Sequence, residues 1–528
     1  MIRAFERLTR QGWLRLDRGL DRLFTEPYNP LYQLGALSFL YFWIVAVSGV
    51  YLFVFFDTSV TKAYVSVEYL TREQWYAGGV MRSLHRYASA AMGVTVTLHL
   101  LREFSMGRFR GARAFSWISG VPLLWLLFAS AIGGYILVWD QLAQYLATAT
   151  AEWLDWLPVF GEPIARAFVS DATMSDRLFS LLVFLHIAIP LFLLVGMFIH
   201  IKRLKLPRTS AGRVVSAATC AAITLVALVH PATSMAPADL QTVPALVQFD
   251  WVYLNQYPLL DRYGPGTLWS IVGAVTLLLI VLPRLSPARS EQFAPAVVDP
   301  DNCNGCTWCF QDCPFEAIVM VPHDYKKGMR QAQVNGDLCT GCGICAGACP
   351  SATPFRHVDE LVSGIEIPDY PLQRLRDEAS QALSRLDGGE GIMVFGCDHG
   401  ADVTRLADGQ VATLRLPCTA ILPPSFVDYV ARQPQVAGIL VTGCHPEACY
   451  YRLGSEWVSQ RLAAERSPHL RTSDGRSKVE QVWAGPLEGQ KLEDALAALS
   501  IRSHDIRPDG EGGHNASEIA SARSGEVS

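Results

Sequence analysis

Four histidines occur as two pairs with a single interval. His85 and His99 lie fourteen residues apart in one apolar segment, and His186 and His200 repeat that spacing in another. Fourteen residues is almost four helical turns, so each pair shares a helix face, separated by roughly 21 Å of rise. The hydrocarbon layer of a bilayer is about 30 Å thick. Two such helices facing each other would hold two metal centres at two membrane depths. A histidine inside a span is costly and usually functional, and neutral imidazole is a strong axial ligand for haem iron. A polar side chain satisfied by a neighbouring helix explains one such histidine better than four at matched spacing.

The chain has 528 residues, too many for one domain. Long apolar runs lie almost entirely before residue 286. They give six candidate spans, at about 33–56, 84–104, 115–139, 178–201, 213–231 and 267–284. Residues 1–30 do not read as a signal peptide, because Arg3, Arg7, Arg10, Arg15, Arg18 and Arg22 alternate with Glu6, Asp17 and Asp21. Ile2, Phe5, Leu8, Leu16, Leu20 and Leu23 approximate one face of a helix lying on the membrane surface. Arginine and lysine crowd this segment, the second–third loop (Arg102, Arg108, Arg110, Arg113) and the fourth–fifth loop (Lys202, Arg203, Lys205, Arg208, Arg213). The 140–177 loop is instead rich in Asp and Glu. The N-terminus is therefore expected in the cytoplasm, and six spans return the chain there near residue 286. In that topology His85 pairs with His186 near the outer face, and His99 with His200 near the cytoplasm. A net charge of −5 argues against a nucleic-acid partner.

Gly35 and Gly49, and Gly120 and Gly134, are also fourteen apart. A flat macrocycle against a helix needs a missing side chain, although glycine also serves close helix packing. The stretch Arg82-Ser-Leu-His85-Arg86, then Leu98-His99-Leu-Leu-Arg102, resembles the second helix of the cytochrome b/b6 family. Gly134-Tyr135-Ile-Leu-Val-Trp139-Asp140-Gln141 is similar to that family's Gly-Tyr-x-Leu-Pro-Trp-Asp-Gln signature, with Val138 in place of Pro. The resemblance covers about residues 20–285. It implies two b haems ligated by the four histidines and a dimer like that of the family. Arg82, Arg86 and Arg102 sit at span ends, where a cation can meet a haem propionate, snorkelling anchors being the alternative. Gln33 stands where b6 proteins carry a haem-binding Cys, so no covalent third haem is expected. Phe249-Asp250-Trp251-Val252 matches the spacing of the family's quinol-site segment, Pro-Glu-Trp-Tyr. Asp250 would replace its proton-accepting Glu, a plain loop carboxylate being the alternative. No Rieske-type Cys-His motif is present in this sequence.

Of thirteen cysteines, twelve follow residue 300. Their clusters suit metal ligation in a reducing compartment better than disulfides. Cys303-x2-Cys306-x2-Cys309-x3-Cys313-Pro314 is followed by Cys339-x2-Cys342-x2-Cys345-x3-Cys349-Pro350. This is the two-cluster bacterial ferredoxin pattern, in which the fourth cysteine of each run ligates the other cluster. Cys303, Cys306, Cys309 and Cys349 should hold one [4Fe-4S] cluster, and Cys339, Cys342, Cys345 and Cys313 the other. Farther on, strand-like runs end near Cys397, Cys418 and Cys444, with Cys449 beyond. Four thiols at the carboxyl edge of a small sheet suit a [2Fe-2S] cluster or zinc. Gly443-Cys444-His445-Pro-Glu-Ala-Cys449-Tyr450-Tyr451 resembles the delta subunit of methyl-viologen-reducing hydrogenases. Cys397 stands alone where that family commonly has Cys-x-x-Cys, leaving His399 or His445 as possible ligands. The resemblance implies docking to a flavoprotein, often of the heterodisulfide reductase type.

The expected architecture is a six-span α-helical transmembrane bundle with two cytoplasmic modules, an α+β ferredoxin domain and a small α/β iron–sulfur domain. The boundaries are an amphipathic segment at 1–30, the membrane domain at 31–286, the ferredoxin domain at 297–355, the last cluster domain at 390–465 and a disordered tail at 505–528. The expected function is electron exchange between a quinone pool and a cytoplasmic flavoprotein or heterodisulfide-reductase-like subunit. The expected location is a bacterial or archaeal cytoplasmic membrane. The rival reading is an electron conduit or anchor whose quinone site belongs to a partner.

Overall fold

Each of the six apolar segments is helical. A computed structural model describes residues 2–505, apart from 160, 169–173, 203, 245, 286–292, 356–359, 388–389 and 472. Arg203 and the expected tail after Asp505 lie outside the described residues. The first ten helices are α1 (Ile2–Phe24), α2 (Leu34–Phe55), α3 (Ala63–Arg72), α4 (Val80–Ser105), α5 (Ala114–Leu137), α6 (Gln141–Asp155), α7 (Asp176–Ile201), α8 (Arg213–Val229), α9 (Tyr257–Tyr263) and α10 (Pro265–Leu285). Among the described residues, four helices suffice by length and composition to cross a membrane: Pro30–Phe55, Ala114–Leu137, Asp176–Ile201 and Pro265–Leu285. α4 has 26 residues but carries Arg82, His85, Arg86, His99, Arg102 and Glu103, and α8 has only 17. Large apolar side chains on α7, including Leu191, Phe192 and Val195, are exposed, as lipid contact requires.

Two units make up the chain. One holds the described residues up to Pro295 together with Cys313–Val321 and Ala332–Gly341. The other holds Ala296–Asp312, Pro322–Gln331 and the described residues from Cys342 onward.

In the first unit α2 packs along α4, and α5 along α7. α1 packs on α4 through polar and apolar contacts, the Phe5 ring lying 5.9 Å from that of Phe104. Asp17 is buried and accepts from Arg102 Nη1 at 2.7 Å and Nη2 at 2.9 Å, while Phe5, Leu8, Leu16 and Leu23 are exposed. A buried ion pair on one side and exposed apolar side chains on the other are what a helix facing lipid needs. The Trp139-Asp140-Gln141 motif is a clamp. Asp140 caps α6 by accepting from Ala143 N–H at 3.0 Å, and its other oxygen accepts from Met235 N–H at 2.9 Å. The motif thereby fixes the start of the segment that leads to Asp250.

In the second unit β1 (Val297–Val298) pairs antiparallel with a later strand, and α11 (Trp308–Asp312) follows. β2 (Ile318–Pro322) and β3 (Arg330–Val334) form a two-stranded sheet, and each has residues in both units. Next come α12 (Ile344–Gly347), β4 (Ile365–Glu366), which is the partner of β1, and α13 (Leu372–Leu383). The remaining elements are β5 (Gly391–Cys397), β6 (Val411–Leu416), α14 (Pro424–Ala431), β7 (Val436–Gly443), α15 (Gly454–Leu462), α16 (Ser473–Lys478), β8 (Val479–Trp483) and α17 (Gly489–Asp505). β5 to β8 form one parallel sheet in the order β6-β5-β7-β8. β5 is buried throughout, as a central parallel strand must be. The sheet extends past the boundary expected at residue 465. β8 adds the fourth strand, and Leu492 and Leu499 of α17 pack with Ile392, Val394 and Leu440.

Candidate redox centres

The four histidines meet in the expected pairs. The His85 and His186 rings lie 6.3 Å apart between centroids, inclined at 65°. His99 and His200 lie within electrostatic range of each other. Two imidazoles flanking one metal ion, each nitrogen at about 2 Å, fit the first separation. The hydrogen bonds fix which nitrogen is available. His85 Nδ1 lies 3.0 Å from the Val45 carbonyl, and His186 Nδ1 lies 3.0 Å from the Ser130 carbonyl. A carbonyl only accepts, so both rings carry their proton on Nδ1 and keep the Nε2 lone pair for a ligand. His200 Nδ1 lies 3.1 Å from Ser119 Oγ. This donor set fits bis-imidazole haem ligation.

Each of the four glycines lies against one histidine. A Cβ on Gly49 would stand 3.0 Å from His85 Cε1, and one on Gly134 2.8 Å from His186 Cε1. The corresponding distances are 3.4 Å for Gly35 to His99 and 3.3 Å for Gly120 to His200. Sequence reasoning assigned this space to the macrocycle. Among the protein atoms, the nearest are the imidazoles, each lying against the helix beside its own, so the glycines leave room for the rings and for a macrocycle bound between them.

The three arginines expected near propionates have carboxylate partners within the chain. Arg82 binds Glu68 at 3.4 Å, Ser234 at 2.7 Å, and Thr71. Arg86 binds Asp250 at 2.6 Å, and Arg102 is held by Asp17 as described. Gln33 is buried and accepts from Gly212 N–H at 2.8 Å.

Asp250 is the centre of a compact network. Its Oδ2 accepts from Arg86 and from Tyr135 Oη at 2.5 Å, and its Oδ1 accepts from the Val252 and Tyr253 N–H groups at 2.5 and 3.2 Å. The Arg86 guanidinium lies 4.6 Å from the Tyr135 ring centre. Burial opposes ionisation, but the hydrogen bonds from Tyr135 and Arg86 and the Arg86 charge outweigh it, holding the carboxyl below its ordinary value. The loop reaches α4 at Gly93, where a Cβ would stand 2.7 Å from Val252 and 2.8 Å from Tyr253. Tyr253 Oη donates to the Ser89 carbonyl at 2.5 Å. Gly93 gave no sign of this contact in the sequence, because its partner is 160 positions away.

The ferredoxin cysteines sit in turns that the two runs repeat. Gly305 in Cys303-Asn-Gly305-Cys306 has φ +68°, and Gly341 in Cys339-Thr-Gly341-Cys342 has φ +65°. That left-handed backbone wraps a chain around a cluster corner at little cost only for glycine. In the second unit Cys309 is pushed up to about 12 by burial and by Cys349, Cys306 and Cys303 around it. These are the four cysteines expected in one cluster. In the first unit Cys313 lies near Cys339 and accepts from Ala317 N–H at 3.3 Å. The neighbouring Pro314 carbonyl accepts from Lys205 N–H at 3.2 Å, on the loop that follows His200. Cys342 and Cys345 are buried in the second unit, where Cys342 lies within electrostatic range of Cys418.

The last four cysteines converge at the carboxyl ends of β5, β6 and β7. Ligands of open parallel sheets collect where strand order reverses, and here that point lies between β5 and β7, at Cys397 and Cys444. Cys397 is in hydrogen-bonding contact with Cys418 and Cys444, and Cys444 with Cys449. Cys397 beside it, together with burial, pushes Cys444 up to about 12. Thiols this crowded ionise together only around a cation, so the donor set fits a metal or cluster. Gly454 makes the room, since a Cβ there would stand 2.7 Å from Cys418 Sγ. His445 turns to Glu488, with Nε2 2.5 Å from the carboxylate, and His399 stacks on Tyr450 at 3.7 Å between centroids.

Comparison with known proteins follows the same division. Residues 20–207 match the family described as cytochrome b/b6/petB. Cytochrome b6 of Heliobacterium modesticaldum is 30% identical over 201 residues, covering 37% of this chain and 94% of that protein. The chain belongs to the cytochrome b/b6 family. Cytochrome b6 of Heliomicrobium gestii is also 30% identical, over 33% of this chain and 83% of its own length. That of Heliobacterium mobile is 30% identical over 35% and 86%. Residues 298–353 match the 4Fe-4S dicluster domain, and residues 401–502 the delta subunit of methyl-viologen-reducing hydrogenase. A solved structure titled "Hyperthermophilic respiratory Complex III" aligns with TM-score 0.40 and 21% identity, over 48% of this chain and 75% of that one, a likeness too loose to bear on the arrangement. The chain is thus a cytochrome b-like membrane protein with iron–sulfur domains. Its families imply haem b and [4Fe-4S] clusters.

Proposed function

We propose that this protein is the membrane subunit of a quinone-coupled oxidoreductase. It exchanges electrons between a quinone pool and a cytoplasmic flavoprotein or heterodisulfide-reductase-like subunit. The observation that carries the reading is the set of two histidine pairs, with Nδ1 of His85 and His186 on backbone carbonyls and one glycine beside each ring. Six spans, with α4 and α8 as the second and fifth, put the N-terminus and the iron–sulfur domains in the cytoplasm of a bacterium or archaeon. His85 and His186 hold the outer b haem, and His99 and His200 the inner one. Two [4Fe-4S] clusters and one [2Fe-2S] cluster, the last on Cys397, Cys418, Cys444 and Cys449, carry electrons on the cytoplasmic side. These groups supply the one-electron chemistry; the chain positions and insulates them.

Asp250 is the proposed proton acceptor for quinol at the outer face, beside the outer haem. Its carboxylate already accepts four hydrogen bonds, so taking a proton requires Arg86 or Tyr135 to release one. The same saturation favours the second reading, a non-catalytic conduit whose quinone site lies on a partner. Turnover of a quinone analogue by the purified chain separates the two. With Asp250→Asn, turnover should fall at least tenfold while haem spectra stay unchanged. Unchanged turnover removes the outer-site mechanism, and no turnover by the wild-type chain favours the conduit.

A further inference from the structure

A buried ion cluster lies beside the cysteine sites of the second unit, and the electron-transfer reading does not use it. Arg461 of α15 is 2% exposed. Its Nη2 donates to Asp312 Oδ2 at 2.5 Å and to the Ile344 carbonyl at 3.4 Å, and its Nη1 donates to the Ala420 carbonyl at 3.3 Å. Ile344 precedes Cys345, Ala420 is two residues past Cys418, and Asp312 ends the helix that carries Cys309. One guanidinium therefore ties together three cysteine-bearing elements. Arg466 also binds Asp312, through Nε at 3.0 Å and through Nη2, and lies 3.4 Å over the Trp457 ring. Trp457 Nε1 donates to the Asp312 carbonyl at 3.2 Å. The packing at this junction leaves no slack. A Cβ on Gly343 would stand 2.5 Å from Ile421, and one on Gly347 would run into the Ala420 carbonyl.

The charges do not balance. Among the described residues, two guanidinium groups share this one carboxylate, which leaves one positive charge in excess in the cluster. Arg461 Nε finds no acceptor among the described residues. Replacing a buried ion cluster by apolar side chains is often neutral or stabilising, so stability alone does not account for it. The Cys418 thiol lies within electrostatic range of Arg461. Four thiolates make any cluster site anionic, and each one-electron reduction adds a further negative charge. Cluster potentials respond to net charge nearby. We infer that Arg461 is a shared positioning residue of the iron–sulfur sites. It locks the Cys345 turn against the Cys418 loop, and its uncompensated charge raises the reduction potential of the clusters those cysteines hold. The inference rests on reading these cysteines as cluster ligands.

The test is a redox titration of the full-length protein in detergent, followed by electron paramagnetic resonance, with iron content measured on the same samples. Arg461→Met should lower the reduced-to-oxidised ratio of at least one cluster roughly tenfold at fixed potential, about 59 mV for one electron. Asp312→Asn removes the negative charge and should shift the same signal the other way. Opposite signs are not expected of a purely structural defect. The haem midpoints serve as an internal control and should not move. If Arg461→Met fails to load clusters, Arg466→Gln, at a partly exposed position, removes the same excess charge and should lower the ratio. Full iron content with unshifted potentials, or shifts of one sign in both Asp312→Asn and an arginine variant, overturns the inference. A wild-type chain with no cluster signal overturns the cluster reading instead.

Discussion

At the scale of single residues, the histidine environment makes graded predictions. His85→Ala should remove the outer haem and His99→Ala the inner one, so each halves haem content by pyridine haemochrome assay. Full haem content in both would reject the ligand assignment. The glycines need not be equally strict. A Cβ at Gly134 would stand 2.8 Å from its imidazole and one at Gly35 3.4 Å, so Gly134→Ala should lose more haem than Gly35→Ala. Equal retention would show that this space is not needed. Asp250 makes a pH prediction. Its folded value lies below the ordinary carboxylate value of about 3.9. Its stabilisation is therefore fully present above that pH and is lost as pH falls through the lower folded value. The melting temperatures of wild type and Asp250→Asn should differ by a constant amount from neutral pH to about 5, then converge below about 4. A difference that does not shrink as pH falls below about 4 would place the effect elsewhere.

At the scale of elements, the last domain depends on segments with no motif. Leu492 of α17 is fully buried against the β5–β8 sheet, and β8 pairs with β7 through five residues from Val479↔Ile439 to Trp483↔Gly443. Leu492→Asp puts an unpaired carboxylate in that core and should cost several kcal/mol. The expected outcome is loss of the last cluster's signal with the haem spectrum intact; retention of that signal would show that α17 is dispensable. On the membrane side, the periodicity that marks α2, α5, α7 and α10 is plain hydropathy. α4 is legible chiefly through its paired histidines, because its arginines and histidines dilute the apolar signal.

At the scale of the whole molecule, the reading fixes an inventory. Two [4Fe-4S] clusters and one [2Fe-2S] cluster require about ten non-haem irons per chain alongside two haems. Iron, acid-labile sulfide and zinc analysis of the purified protein checks this count. Zinc near one per chain, with non-haem iron near eight, would make the Cys397–Cys449 site structural.

The sequence by itself determined which candidate ligands repeat at fixed intervals. A helix turns every 3.6 residues, so a fourteen-residue spacing shows which histidines share a face, and the ferredoxin motif likewise names its eight thiols. It also determined the family, through motifs that lie within single segments. Contacts between distant positions were decided only by the tertiary structure. Asp250 meets Arg86 and Tyr135 across more than a hundred residues, Gly93 admits the loop that carries Asp250, and Arg461 reaches Asp312 from 149 positions away. No local period encodes such pairings, because their geometry comes from how the helices and the sheet pack.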